Sequence, residues 1–121
     1  MHFTISRETF LKPLQLVSGV VERRQTLPVL SNVLLVLEGD QLSLTGTDLE
    51  VELIGRVTVV DSKQSGAITV PARKLLDICK SLADDSMIEL SMSDSNKLTV
   101  KAGRSRFSLT TLPATEYPSV E

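Results

Sequence analysis

The sequence has few aromatic residues and no tryptophan, which narrows the kinds of binding it can support. Aromatic side chains make up only 3% of the 121 residues. Proteins that bind single-stranded nucleic acid commonly stack bases on such side chains, so that mode is not expected here. No apolar run approaches the ~20 residues that a membrane span needs, and no signal-peptide pattern precedes the first strand. We therefore expect a cytoplasmic protein with no membrane partner.

The sequence also lacks a second cysteine and any marked excess of charge. Cys79 cannot form an internal disulfide bond and lies on the apolar face of a predicted helix. We interpret it as a buried thiol rather than a nucleophile. Thirteen basic and fifteen acidic side chains give a net charge of −2. Nucleic-acid binding would therefore have to depend on where the cations lie rather than on net charge.

Apolar residues at helical spacing predict a first helix over residues 7 to about 20, after a strand at 2–5. Ser6 can cap its start, since a serine side chain accepts a hydrogen bond from an amide of the first turn. The apolar face of this helix contains Phe10, Leu11, Leu14, Val17 and Val21.

A second helix is predicted to begin at Pro71, after a short strand at 68–70, because proline suits the first helical position. Its helical wheel has three faces. The core face contains Ala72, Leu75, Leu76 and Cys79. Arg73 and Lys80 share a second side, while Lys74, Ile78 and Leu82 lie on a third. Three faces predict three neighbours: a core, an anionic ligand and a partner surface.

Further strands are predicted at residues 29–37, 41–45, 49–60, 87–92, 97–101 and 106–112, with 61–66 as a polar connector. The pattern is strand–helix–three strands, twice. Residues 42–53 align without gaps on 98–109, which places Asp48 and Glu50 opposite Arg104 and Arg106. Two such units would form an α+β fold, a duplicated βαβββ unit with two helices on one side and antiparallel sheets on the other.

An acidic row is the first candidate site. Asp48, Glu50 and Glu52 alternate along a predicted strand, so their side chains would share one face. A metal site there would need convergent ligands from elsewhere, and the only histidine is His2. A solvated strand face is the favoured interpretation. No catalytic motif is present, so we expect no enzyme, no metal and no cofactor.

Cations near the two helices form the second candidate site. Arg23 and Arg24 follow the first helix, and Arg73 and Lys80 share one side of the second. If the helices lie side by side, these residues could form one basic surface that contacts phosphates without reading bases. Taken singly, each is more simply a solvated surface charge.

The last long strand supplies the third candidate site. Phe107 and Leu109 share one of its faces, and Arg106 and Ser108 share the other. With Ile78 and Leu82 they could form an apolar centre flanked by Lys74, Arg104 and Arg106. Such a surface suits a partner with apolar residues ringed by carboxylates. The alternative, that Phe107 and Leu109 are plain core residues, is equally compatible with the pattern.

Five motifs together resemble one family. They are LKPLQ at 11–15, TLPVLSN at 26–32, LSLTGTDLE at 42–50, VPARK at 70–74 and GRSRFSLTTLPA at 103–114. In this order they resemble the bacterial sliding clamps, the β subunits of DNA polymerase III. The resemblance runs from residue 1 to the end but covers only the first of the family's three domains. It implies a first clamp domain at 1–116, with repeats at about 1–60 and 66–112, and the start of an interdomain linker at 117–121.

The resemblance implies a role in DNA replication without chemistry. Clamps of this family are head-to-tail homodimeric rings that encircle duplex DNA and tether the replicative polymerase. By this analogy Arg24 and Arg73 contact DNA without sequence specificity. The dimer interface would contain Lys74, Ile78, Leu82, Arg104, Arg106, Phe107 and Leu109. The pocket for polymerase and clamp-loader peptides would lie in domains outside this chain.

Two rival interpretations remain open. One is a dimerising β-rich binding module with no DNA role, and the other is an enzyme with a pocket around Asp48, Glu50 and Glu52. The placement of the helices discriminates between them. Helices packed together on one side, with Arg24 and Arg73 facing the same way, favour the clamp. Helices on opposite sides of a single sheet exclude it.

Overall fold

The computed structural model of the protein describes residues 1–21, 27–93 and 95–118. Within these ranges it has two α-helices, ten β-strands and two short 3₁₀ turns. None of the described helices has the length and apolar character needed to span a membrane. In chain order the elements are β1 (His2–Ser6), α1 (Arg7–Ser18), a 3₁₀ turn (Pro28–Ser31), β2 (Asn32–Glu38), β3 (Gln41–Thr47), β4 (Glu52–Thr58), β5 (Asp61–Gln64), β6 (Gly66–Pro71), α2 (Ala72–Ser81), β7 (Met87–Met92), β8 (Lys97–Ala102), β9 (Ser105–Thr110), β10 (Leu112–Pro113) and a second 3₁₀ turn (Ala114–Glu116).

The strands form two antiparallel sheets. Sheet I has the order β5-β1-β7-β8-β9, and sheet II has the order β10-β6-β2-β3-β4. β1 belongs to the first half of the chain but pairs with β7 of the second half. Reciprocally, β6 of the second half pairs with β2 of the first. Each half therefore contributes its first strand to the sheet of the other half.

The start of α1 follows from its cap. The hydroxyl oxygen of Ser6 accepts a hydrogen bond from the amide of Thr9 at 3.2 Å, which satisfies one of the free donors of the first turn. The helix ends at Ser18, slightly before the predicted position near residue 20. Its predicted apolar face is confirmed, with Phe10, Leu14 and Val17 fully buried.

Two glycines allow α1 to lie directly on sheet II. A Cβ atom added at Gly46 in β3 would lie 2.3 Å from the carbonyl oxygen of Val17. One added at Gly55 in β4 would lie 2.7 Å from Cβ of Pro13. Any larger residue at either position would push the helix away from the sheet, since contacts this short are repulsive.

α2 begins at Ala72, one residue after the predicted start at Pro71, which is its N-cap residue, and lies against α1. Its buried residues are Ala72, Leu75 and Cys79, so the predicted core face is confirmed, with Leu76 half-buried at its margin. Arg7 at the start of α1 bonds to the end of α2, so the two helices run antiparallel. The helices therefore pack together, and an arrangement on opposite sides of a single sheet is excluded.

One continuous core joins the helices to both sheets. Its largest fully buried side chains include Phe3 and Ile5 of β1, Phe10 of α1 and Leu75 of α2. The ring centroids of Phe3 and Phe10 lie 6.5 Å apart in an edge-to-face arrangement, the geometry that aromatic pairs prefer. Because this core draws on both repeats, the described part of the chain packs as one domain.

Four predicted elements need correction. The predicted strand at 106–112 is divided between the two sheets, because β9 ends at Thr110 in sheet I and Leu112 and Pro113 form β10, which pairs with β6 in sheet II. Residues 29–31 belong to the 3₁₀ turn that opens at Pro28, so β2 starts only at Asn32. Residues 48–51 form a turn, and β4 starts at Glu52. The predicted connector at 61–66 contains the edge strand β5, which pairs with β1. An edge strand can be held by backbone hydrogen bonds while both of its faces stay exposed. Its residues can therefore all be polar, and the sequence shows no alternation of apolar and polar residues that would reveal the strand.

The predicted ungapped alignment of the two repeats is correct for β3 and β8 but wrong after these strands end. β3 and β8 correspond as predicted, but residues 48–51 connect β3 to β4 whereas only Gly103 and Arg104 connect β8 to β9. By strand pairing, Arg106 corresponds to Ile54 rather than to Glu50. The duplication of the strand–helix–three-strand unit remains visible in the order of elements, but the predicted charge reversal between the repeats is not present.

Candidate functional site

Arg73 is exposed in the first turn of α2, on the side of the helix away from the core. Its helix partner Lys80 is also exposed, in the last turn. Among the described residues, neither cation is within ion-pair distance of a carboxylate. The side chain of Arg73 therefore remains available to an external anion. Arg23 and Arg24, predicted to share this surface, lie outside the described residues.

A groove of about 670 Å³ separates the last turn of α1 from the first turn of α2. Gln15 and Ser18 line one wall, and Arg73, Lys74 and Leu76 line the other. The positive end of the α2 dipole here faces the negative end of the α1 dipole, so the two dipoles oppose each other and the positive charge comes from Arg73 and Lys74. This end of the helix pair is therefore electropositive, although the whole chain is slightly acidic.

The second predicted surface, which we call the seam, contains residues of α2 and β9 and of the turn before β9. The two elements lie next to each other, and β9 is the edge strand of sheet I. Lys74, Arg104 and Arg106 are exposed, while Ile78, Leu82 and Phe107 are half-buried. The structure thus brings the predicted apolar centre and its flanking cations to one edge of the fold.

Phe107 and Leu109 differ in how much surface they leave open. Both face inward along β9, with Phe107 beside Val100 and Leu109 beside Leu98. Leu109 is only 7% exposed and belongs to the core of this chain, whereas Phe107 is partly buried and packs at the margin. The core interpretation therefore holds for Leu109. Phe107 packs against the core and also leaves surface that a partner can contact.

The outer edge of β9 carries a row of unpaired backbone groups, because within the described residues it is bonded only to β8. A second sheet could add its own edge strand there through backbone hydrogen bonds. Arg106 lies directly opposite Lys101 of β8, and like charges at facing positions disfavour a sheet. An acidic partner would relieve that repulsion.

The predicted acidic row is not formed. A carboxylate oxygen of Asp48 accepts the amide hydrogens of Glu50 and Val51 at 2.9 and 2.8 Å. These bonds lower the pKa of Asp48 and fold residues 48–51 into a turn, with Leu49 in the left-handed region at φ 80°. Asp48 and Glu50 are thus turn residues rather than strand residues. The enzymatic interpretation loses the arrangement on which it depended.

Cys79 is a buried free thiol, as predicted. Burial raises its pKa to about 12, although the nearby positive charge of Arg7 acts in the opposite direction. A thiol with so high a pKa carries almost no thiolate near neutral pH, and the thiolate is the reactive form. The residue therefore serves packing on the core face of α2.

Two contacts were missed by the sequence reasoning. The guanidinium group of Arg7 donates hydrogen bonds to α2. The hydroxyl group of Tyr117 donates to the carbonyl oxygen of Thr45 at 3.2 Å, holding the C-terminal segment against sheet II. A signal for Arg7 did exist, because a cation in the first turn of a helix is disfavoured by the helix dipole and needs a partner elsewhere. Nothing in the sequence indicated the partner of Tyr117.

Comparison with known proteins gives consistent matches over the whole chain. The family model for the N-terminal domain of the DNA polymerase III beta subunit matches residues 1–121. A beta sliding clamp from Pseudomonas aeruginosa is 71% identical over 121 residues, covering 100% of this chain and 33% of the relative. One from Escherichia coli K12 is 50% identical with the same coverage. The chain thus spans about a third of the length of these curated relatives.

Solved structures confirm the predicted fold. The crystal structure of the DNA polymerase III subunit beta from Pseudomonas aeruginosa superposes with a TM-score of 0.94 at 68% identity, covering 100% of this chain and 32% of that one. The pol III beta structure from Caulobacter crescentus gives 0.95 at 45% identity, with the same coverage. The arrangement of two helices and two antiparallel sheets is therefore shared with these proteins.

Proposed function

Because the chain belongs to the family of DNA polymerase III beta subunits, whose N-terminal domain it matches throughout, we propose that it is one segment of a ring that encircles duplex DNA. The ring retains DNA by enclosing it, so each contact with the phosphates can be weak and the ring can slide. The replicative polymerase gains processivity by attaching to such a ring. The observation that carries this proposal is the pairing of α1 and α2, which leaves Arg73 exposed on the helix side.

The DNA contact is non-specific. Arg73 and Arg24 neutralise phosphates of the DNA, and phosphate contacts carry no sequence information. The exposure of Arg73, its freedom from described carboxylates and the electropositive end of the helix pair all support this role. The scarcity of aromatic residues agrees with it, since a sliding ring should not grip individual bases.

The seam closes the ring by head-to-tail contact with a second subunit of the full-length protein. Phe107, Ile78 and Leu82 supply the apolar centre, and the cations Lys74, Arg104 and Arg106 surround it. Leu109 supports the centre from the core rather than offering surface of its own. The contact joins different surfaces of the two subunits. It therefore forms a closed ring only if the rotation that relates one subunit to the next returns to the first subunit.

The remaining partners bind outside this chain. The replicative polymerase and the clamp loader attach to the two thirds of the full-length protein that lie beyond it, and the protein itself carries out no chemistry. We place the domain at residues 1–116 and the start of the linker at 117–121. Tyr117, the first residue of the proposed linker, is still bonded to Thr45 of sheet II, so the linker leaves the domain no earlier than this residue. A ring that acts on the bacterial chromosome works in the cytoplasm.

The DNA contact can be tested in a full-length chimera in which this chain replaces the N-terminal domain of the Pseudomonas aeruginosa relative. Arg73→Ala and Arg24→Ala should each weaken binding to a short fluorescent duplex, measured by anisotropy at several salt concentrations. The slope of log K against log salt should fall by about 0.9 for each phosphate that is no longer neutralised. Lys63→Ala in β5, on the far edge of sheet I from the seam, is the matched control and should leave the slope unchanged.

Equal effects of Arg73→Ala and Lys63→Ala would contradict the assignment of the DNA-facing side. Unchanged DNA binding in both arginine variants, combined with subunits that separate when the seam is altered, would instead support the alternative of a dimerising module without a DNA role.

A further inference from the structure

We propose that Arg7 is a positioning residue for the seam, because it fixes the C-terminal turn of α2 and with it Ile78 and Leu82. The inference rests on the proposed ring function, since it concerns the surface assigned there to subunit contact. Arg7 itself lies in α1 and is not a member of that surface.

The guanidinium group of Arg7 reaches from α1 to the end of α2. Its Nε donates to the carbonyl oxygen of Cys79 at 2.8 Å, and its Nη2 donates to that of Lys80 at 3.4 Å. Nη1 lies 3.3 Å from a carboxylate oxygen of Asp84. The Arg7 side chain is only 15% exposed, whereas that of Asp84 is fully exposed. The bond to the carbonyl oxygen of Cys79 is therefore the sheltered one, whereas the longer bond to Lys80 and the ion pair with Asp84 are exposed and weakened by solvent.

These bonds answer a need that α2 cannot meet alone. The last carbonyl groups of a helix have no partner within it, and the negative end of the helix dipole favours a cation there. α2 ends without a left-handed glycine, because its C-cap residue is Leu82 with φ −85°. Ser81 Oγ donates to the carbonyl oxygen of Ile78 at 2.7 Å, and Arg7 serves the next two carbonyls. Arg7 thus completes the cap from another element.

The link to the seam passes through a single oxygen atom. The carbonyl oxygen of Cys79 accepts from Arg7 and also from the amide of Leu82, at 3.3 Å. The amide of Leu82 and the side chain of Arg7 therefore bind the same carbonyl oxygen. On the other side, the amide of Arg7 donates to the carbonyl oxygen of Ser86 at 2.8 Å, which ties the loop after α2 to the start of α1. The backbone and side chain of Arg7 together clamp residues 79–86.

A position-specific effect follows from this geometry. Ile78 and Leu82 lie within or beside the clamped turn, whereas Lys74 lies at the opposite end of α2. Loss of the clamp should therefore loosen the apolar part of the seam and leave the core face of the helix packed through Leu75. This separates a positioning role from a general contribution to stability.

The experiment uses the full-length chimera described above and measures subunit exchange between fluorescently labelled rings. Arg7→Met keeps most of the length and apolar packing of the side chain but removes its three side-chain donors, while the backbone bond to Ser86 remains, and it should accelerate exchange about tenfold. Arg7→Lys keeps the charge with a single ammonium group and should give an intermediate rate. Asp84→Asn removes only the exposed carboxylate and should stay within about twofold of the parent.

A control matched for stability separates positioning from destabilisation. Leu42→Ala in β3 removes buried side-chain volume from sheet II, the sheet that does not contain β9 of the seam. Each variant is compared at the same interval below its own melting temperature. If rings with Arg7→Met exchange subunits no faster than rings with Leu42→Ala, Arg7 has no positioning role.

Hydrogen exchange on the conservative Arg7→Lys variant gives a second readout. The protection factor of the Leu82 amide should fall about tenfold, whereas the protection factor of the Leu35 amide in sheet II should not change. Equal loss at both amides would contradict the inference, because it would mean that Arg7 stabilises the domain uniformly.

Ile78→Asp distinguishes failure of the seam from failure of the inference. This change places a charge in the seam while leaving the bonds of Arg7 intact. If it accelerates subunit exchange and Arg7→Met does not, the seam stands and the positioning role is wrong. If it leaves exchange unchanged, the seam assignment is wrong and the role of Arg7 falls with it.

Discussion

Replacing Gly46 with alanine would test how closely α1 lies against sheet II. The added Cβ atom would lie 2.3 Å from the carbonyl oxygen of Val17 and 3.0 Å from its carbonyl carbon. Both atoms belong to the helix backbone, so no side chain can rotate to relieve the contact. The helix must move by about 1 Å, since ordinary van der Waals contacts begin near 3.4 Å.

The expected cost follows from two opposing effects. Forcing an extra methyl group into a packed interior costs about 1–3 kcal/mol, and the rigid backbone here places the cost near 3 kcal/mol. Alanine also restricts the unfolded chain more than glycine does, which returns about 0.5–1 kcal/mol. The net loss is about 2 kcal/mol in the free energy of unfolding. For a domain of this size that lowers the melting temperature by roughly 8 °C.

Urea denaturation followed by circular dichroism measures this loss as a shift of the midpoint with an unchanged m-value. Gly39→Ala is the control, because nothing lies within 4 Å of a Cβ atom there, although its φ of +58° adds about 1 kcal/mol of strain. Gly46→Ala should be the more destabilising of the two. A loss below about 0.5 kcal/mol, the range of an unconstrained surface change, would refute the close approach of helix and sheet.

Two further predictions concern single titrating groups. Burial raises the pKa of Tyr117 to about 12, so the absorbance change of its phenolate, the only tyrosine signal in the chain, should appear in the folded protein near pH 12 rather than 10. Since the pKa of Tyr117 is higher in the folded than in the unfolded protein, the contribution of its neutral hydroxyl to folding stability is fully present below pH ~10 and is lost as the pH rises towards 12. Tyr117→Phe should therefore make the loss of stability at alkaline pH shallower. An identical loss in both proteins would count against the burial of the hydroxyl. Cys79, whose pKa burial raises to about 12, should react with a thiol reagent at pH 8 only after urea unfolds the protein, whereas rapid labelling of the folded chain would contradict its place in the core.

The helices and their buried faces could be predicted from the sequence because local rules determine them. Ser6 and Pro71 are recognisable start signals, and the 3.6-residue spacing of apolar residues identified Phe10, Leu14, Leu75 and Cys79 as core. These features depend on neighbours along the chain. The family motifs then supplied the fold as a whole.

The errors arose where the determining contact lies far away in the sequence or in the backbone. β5 has exposed polar residues and is recognisable only through its pairing with β1. The turn at 48–51 depends on two hydrogen bonds to Asp48, which a strand-like alternation of charges concealed. The depth of Leu109 could not be separated from that of Phe107, because residues on the same face of a strand share one pattern but differ in how near they lie to the sheet edge.

The candidate surfaces were predicted in part. The exposed face of Arg73 and the grouping of Ile78 and Leu82 on the side of α2 came from the helical wheel. Their meeting with β9 could not, because it depends on the packing of α2 beside an edge strand. Arg24 remains a prediction, since it lies outside the described residues.

The exchange of first strands between the two sheets has a consequence for how the chain folds. Residue 2 pairs with residue 91, so sheet I cannot close until both copies of the unit have been synthesised. Contacts this distant in sequence slow folding, because the chain loses the entropy of a large loop before the contact is made. A polypeptide carrying only one copy would leave an unfilled strand position and would have to borrow a strand from a second molecule. The two copies therefore fold as one cooperative unit, and a break between them would yield two interdependent fragments rather than two small domains.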